Sequence, residues 1–262
     1  MGGKYLAFIF AYLRANIAAA LEYRATLVTQ VLGMILNDIL WVVFWVLFFT
    51  RFPVVKGWTL EDVLILWSSF AFSAGLVYGL FFSVRLLPRL VVEGQLDYYL
   101  ALPKDVLVHL LVSRIRPFNL GDALFGPLLL VTTVDLTGSR VAIFLATTLL
   151  SAAVLLGFEI IGGSLAFFLG SGDALHEQLG NALLHFASYP AGIFDGSLKF
   201  LLFTVIPAGF VTWLPVELMR SFRWDLFLGL AAAAAAFLGA AVLVFRAGLR
   251  RYESGNLLAM RS

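Results

Sequence analysis

No cysteine occurs among the 262 residues, which excludes disulfides, thiolate metal sites and cysteine nucleophiles. Charge is scarce too. Asp, Glu, Lys and Arg make up 13% of the chain, and 61% is hydrophobic. An average soluble domain carries about 25% charged residues. With a mean hydropathy of +0.96, the chain cannot clothe a water-facing surface, so its solvent must be largely lipid. The formal net charge is only +2, too little for a basic nucleic-acid face, and the Lys and Arg residues carry information through their positions instead.

Catalytic motifs are missing as well. There is no G-x-x-x-x-G-K-[ST] phosphate loop and no H-E-x-x-H zinc pattern. The three histidines, His109, His176 and His185, lie on different segments, and no metal is expected. Ser164 in GGSLA lacks the closing glycine of a G-x-S-x-G elbow. An intramembrane hydrolase would need a pair such as Ser188 with His185, which spacing alone permits.

What the chain does have is apolar length. Residues 4–24 read as an amphipathic helix, with Leu6, Ile9, Leu13 and Ile17 at helical spacing and Lys4, Arg14, Asn16 and Arg24 polar. Phe8 and Tyr12 spoil the polar face, but the charges argue for a helix lying in the interface rather than spanning. Arg14, Glu22 and Arg24 make a cleaved signal peptide unexpected, and Leu6 stands where myristoylation needs Ser or Thr. Expected spans follow at 25–50, 63–84, 117–134, 141–169, 179–194 and 226–245. Thr59 and Asp62 have capping-box spacing before the second, and Gly75 and Gly79 within it allow close helix approach. The third and fifth are imperfect, holding Asp122, Gly126 and Pro127, and Asn181, His185 and Pro190. Segment 200–216 is broken by Pro207, Gly209 and Pro215.

Charge bias arbitrates. With six spans and 195–223 folding back as an extracellular re-entrant hairpin, twelve Lys and Arg lie inside and six outside. A seventh span would give ten and eight. The expectation is an all-α polytopic membrane protein, a single domain over 1–262, with six transmembrane helices and both termini cytoplasmic.

Two carboxylates, Asp38 and Glu159, sit deep in apolar sequence. A charge at mid-membrane costs about 2.5–3.5 kcal/mol on insertion scales. Such a group serves a cation or proton site or a substrate path, or it is a protonated or hydrogen-bonded carboxyl joining helices. The other interruption is 85–116, too polar for lipid and too apolar for a disordered linker. It reads as two short helices, 84–93 capped by Gly94 and 103–114 after the breaker Pro103. One reading is an element that enters a groove on a partner; the other is a solvated loop with an interfacial helix.

The order of features resembles the type-2 ABC transporter permeases, in particular those known only as uncharacterised transport-system permeases. The resemblance rests on Glu93-Gly94-Gln95-Leu96-Asp97 with Leu100 and Leu102-Pro103, and on Ser188-Tyr189-Pro190 with Ile193-Phe194. It continues through Val205-Ile206-Pro207-Ala208-Gly209-Phe210 with Leu214-Pro215, and closes on Gly248-Leu249-Arg250-Arg251-Tyr252-Glu253-Ser254. It implies an interfacial helix, six spans, a coupling helix between spans two and three, and the extracellular hairpin. It implies a bacterial inner-membrane permease that is not itself an enzyme. This chain would bind no cofactor, ATP and Mg residing on a partner ATPase dimer. The further partners implied are a second permease subunit, the same chain or a paralogue, and lipid, but no nucleic acid. Coupling to the ATPase would fall to Arg89, Glu93, Gly94, Asp97, Pro103 and Lys104. Candidate path residues are Asp38, Glu159, Pro190, Phe194 and Pro207, although Glu159 lies outside the matched pattern. The rival is an ion-coupled secondary transporter using Asp38 and Glu159.

Overall fold

A computed structural model describes residues 2–135 and 137–252, with the backbone alone for 2–6. Glu253, Ser254 and the basic Arg261 lie outside the described residues. Among the described residues the chain is all helix and connecting turns: α1 (Gly2–Glu22), α2 (Arg24–Arg51), α3 (Leu60–Leu80), α4 (Leu87–Val92), α5 (Asp97–Leu100), α6 (Val106–Ser113), α7 (Leu120–Thr133), α8 (Gly138–Ser164), α9 (Ala166–Leu169), α10 (Asp173–Ala187), α11 (Gly196–Thr204), α12 (Leu214–Arg220) and α13 (Trp224–Leu249).

Among the described residues, four helices are long and apolar enough to cross a membrane: α2, α3, the continuous stretch Gly138–Leu169, and α13. At 1.5 Å per residue, the 28 residues of α2 reach about 42 Å. The expected third and fifth spans are shorter. Helices α7 and α10 have 14 and 15 residues, about 21–23 Å, against about 30 Å of hydrocarbon. Chain that hydropathy assigns to the third span goes into a 3-10 turn at Pro117–Asn119, and Pro127 inside α7 removes one helical donor. The broken segment is two helical pieces, Gly196–Thr204 and Gly209–Arg220, bent by 83°. Pro207 is buried at the break, and the second piece opens with a π-helical turn, Gly209–Trp213. Counted as one span, the bent pair brings the total to five.

Glycines set the closest approaches. A side chain at Gly75 would run into the backbone of Ala123, and one at Gly126 into the Ser68 carbonyl. Helices α3 and α7 therefore pack backbone to backbone, and the Ser68 hydroxyl donates to the Gly126 carbonyl at 2.5 Å. Asp62 accepts from the Thr59 amide and hydroxyl, both at 2.7 Å, completing the expected capping box. Arg220 of α12 adds a 2.6 Å bond to Asp62 and lies over the Trp58 ring, tying the 52–59 loop to the bent segment.

Two apolar cores result. The larger gathers Trp45, Leu66, Phe144, Leu155, Leu183, Trp213 and Leu218. The smaller gathers Val84, Leu87, Leu96, Leu110, Ile160 and Phe245. Three of those six, Leu87, Leu96 and Leu110, belong to the stretch that interrupts the apolar sequence.

Candidate functional site

Region 85–116 folds as a small cap with its own core. A 3-10 turn, Phe82–Leu86, leads into α4, where Pro88 fits the first turn because no helical donor is needed there. Gly94 ends the helix at φ +71°, a left-handed cap that glycine reaches without strain. Helix α5 follows where only a loop was expected. Asp105 caps α6 by accepting from the Val108 amide at 3.1 Å, so that helix starts at Val106 rather than Pro103. Leu87, Leu90, Val91, Leu96, Tyr99, Leu107 and Leu110 turn inward onto Ile160 of α8, Ala166 of α9, and Ala241 and Phe245 of α13. At about 25 cal/mol per Å² of apolar surface buried, such packing favours a cap seated on the spans over a solvated loop.

The N-terminal helix belongs to the same body. Tyr12 and His109 are 2.6 Å apart at Oη and Nε2. The Phe8 ring meets the edge of His109, and Lys104 Nζ sits 5.2 Å from the Phe8 centroid. Burial, with the Tyr98 hydroxyl next to it, pushes the Tyr12 phenol up to about 12. Burial also holds the His109 imidazole below its ordinary range. Both partners are therefore neutral at pH 7 and share one short hydrogen bond. Phe8 and Tyr12, which blur the polar face of α1 in sequence, are the residues that dock it. From the far side, the chain just past α13 brings in Tyr252, whose phenol is pushed up to about 12 by burial and by the Asp97 carboxylate.

Glu159 fastens the cap to the spans. Its side chain is completely buried in α8. The Tyr78 hydroxyl donates to Oε1 at 2.6 Å, Arg85 Nη1 is 3.5 Å from the same oxygen, and His176 Nε2 is 3.2 Å from Oε2. Four elements thus converge: α3, the 3-10 turn that opens the cap, α8 and α10. Glycines make the room. A Cβ on Gly180 would sit 2.9 Å from Arg85 Nη1, and one on Gly162 would sit 2.9 Å from His176 Nδ1. A carboxylate taken out of water costs several kcal/mol unless it is paired and hydrogen-bonded; here Oε1 has both, while Oε2 has only the His176 ring nitrogen near it, outside hydrogen-bond geometry. The sequence held one usable sign, an arginine just past one span and an acid within another; nothing in it pointed to Tyr78 or His176.

The cap's outer surface is different in kind. Tyr98, Leu100 and Leu102 are 60%, 45% and 36% exposed. Arg89, Gln95 and Pro103 are exposed around them, and Arg89 bonds Glu93 at 2.6 Å. Concavities of 430 and 220 Å³ share Leu90, Gln95 and Arg114 beside this tip. Of the residues expected to couple, Arg89, Glu93, Gly94 and Asp97 come together on α4, its cap and α5, while Lys104 turns back to α1.

The sequence from residue 32 to 255 matches the family model described as ABC-2 family transporter protein. The chain belongs to the ABC-2 transporter family. It is a type-2 ABC transporter permease, a membrane transport component and not itself a catalyst. No curated protein and no solved structure matches it significantly.

Within this permease the candidate path residues are dispersed. Glu159 is in the node just described, and Asp38 lies against Asp122. Pro190 is buried, and Phe194 stacks on Trp213, whose indole donates to the Tyr189 carbonyl at 2.9 Å. The Ser188 hydroxyl donates to the Leu184 carbonyl at 2.6 Å, so it is already engaged in helical back-bonding, and His185 is exposed. Among the described residues, no group of three His, Asp or Glu side chains has metal-site geometry.

Proposed function

We propose that this permease is the membrane subunit of an ATP-driven exporter, and that the tip of the cap, Arg89 to Lys104, docks on a separate ATPase that carries ATP and Mg. The observation that carries this reading is the contrast between the two sides of the cap. One side is fused to α1, α8, α10 and α13, and the other presents apolar side chains to water. A cap seated in this way passes a push at its tip to several spans at once. Type-2 permeases work in pairs, so a second permease, the same chain or a paralogue, completes the path.

The topology that goes with this reading has six crossings and cytoplasmic termini, with α1 in the interface. The short crossings are α7, lengthened by Pro117–Asn119, and α10, lengthened by Ala191–Ile193. The 83° bend is the re-entrant hairpin. An ion-coupled carrier running through Asp38 and Glu159 has less support, because the two sit in separate clusters with different partners.

Purification in mild detergent from its native membrane should bring an ATP-binding subunit with it; a folded permease that repeatedly comes alone contradicts the proposal. The cysteine-free chain makes the topology directly measurable. Single cysteines at Lys56 and Lys199 are expected to react with an impermeant maleimide from outside, and those at Asp97 and Arg250 from inside. Labelling of Asp97→Cys from outside in intact cells overturns the placement of the cap.

A further inference from the structure

Helix α2 is nearly bare. Of its 28 residues only Asp38, Trp45 and Phe49 are buried, and one of those is an acid. Leu32, Leu36, Leu40, Val43 and Leu47 are all exposed on it, as a lipid-facing helix requires. Asp38 is 7% exposed. Its carboxyl lies against the carboxyl of Asp122 in the first turn of α7, within hydrogen-bonding reach, and beside Asn37. One oxygen of each acid, Asp38 Oδ2 and Asp122 Oδ1, is buried with no partner. Among the described residues no Lys, Arg or His forms an ion pair with either acid.

Valence then decides the chemistry. An ionised carboxylate has only acceptors, so a hydrogen bond between two carboxyl groups needs a hydrogen on one of them. Two carboxylates in contact, one buried and the other half-buried, without a cation, repel strongly and do not both stay ionised. Glu159 is the counter-example in the same protein, since its opposing charge is Arg85. We propose that Asp38 and Asp122 form a proton-binding site between α2 and α7, and that the bound proton is the ligand that fastens the otherwise exposed α2 to the body of the permease. The site is separate from the cap and stands whether or not the ATPase reading does.

Infrared spectroscopy of the purified permease in lipid at neutral pH reads the proton directly. The wild-type spectrum minus that of the D38N/D122N variant should contain a protonated-carboxyl C=O band. A difference made only of carboxylate bands overturns the site. Dicyclohexylcarbodiimide, which reacts with protonated carboxyls in apolar surroundings, supplies a second measurement on the unmutated chain if the double variant does not fold. Peptide mapping should place its adduct on Asp38 or Asp122 and none on Glu159; adducts absent from both aspartates overturn the proposal.

Discussion

Glu159→Ala should lower the stability of the permease by about 3–5 kcal/mol, the usual result of removing one partner of a buried ion pair. The substitution strips Arg85 of its counter-charge, leaves the Tyr78 hydroxyl without an acceptor and opens a void beside His176. Each kcal/mol moves the melting temperature by about 2–4 °C in a domain of 150–250 residues, so a drop of more than about 6 °C is expected in detergent. Glu159→Gln keeps an oxygen for Tyr78 but loses the charge, and should fall between alanine and wild type. Leu243→Ala on the exposed face of α13 is the control, because that side chain is 70% exposed and its loss should change little. Transport should fail in Glu159→Ala even at temperatures where the chain stays folded, since Arg85, in the turn that opens the cap, then loses its ion pair to α8. A melting temperature equal to wild type would remove Glu159 from its place in the account.

The second large effect lies at the tip. The double variant Tyr98→Ala, Leu100→Ala should keep wild-type stability and lose the ATPase. Both side chains are largely exposed, so truncating them opens no cavity. Interface anchors of this kind are worth about 2 kcal/mol or more each, and 1.4 kcal/mol is tenfold in affinity. Co-purification should therefore fall by well over tenfold. Charge reversal at Asp97 is a less clean probe, because Asp97 also faces Tyr252 at the end of α13. Tyr99→Ala is the structural contrast. Tyr99 is 6% exposed and packs inside the cap, so its loss should lower stability before it alters binding.

Composition and periodicity made much of this architecture legible. A chain this apolar and poor in charge had to be a helical membrane protein, and α2, α3, α8 and α13 are plain in hydropathy. The Thr59–Asp62 box, the Gly94 cap and the break at Pro207 were legible because each depends on residues adjacent in sequence. Span length was not, where the chain turns locally. Pro117–Asn119 and Ser188–Ile193 are apolar enough to be counted with their helices but are not wound into them. The long-range partners were least visible. Glu159 finds Tyr78 and Arg85 from 81 and 74 residues away, and Asp38 on α2 finds Asp122 on α7 across the intervening helices α3 to α6. Within a stretch where nearly every residue is apolar, periodicity does not tell which face of a helix meets which neighbour. The aromatic residues of α1 show the same limit. Phe8 and Tyr12 read as flaws in an amphipathic pattern because their partner, His109, lies about a hundred residues on.

In the assembled transporter the cap tip should touch the ATPase. A photo-crosslinking amino acid at Leu100, activated in native membranes, reads that contact, with the same probe at Leu128, 64% exposed on α7, as reference. Leu100 should yield a product whose peptides come from an ATP-binding subunit, and Leu128 should not. Equal yields of that product from the two positions, or a Leu100 probe that captures only lipid, would contradict it.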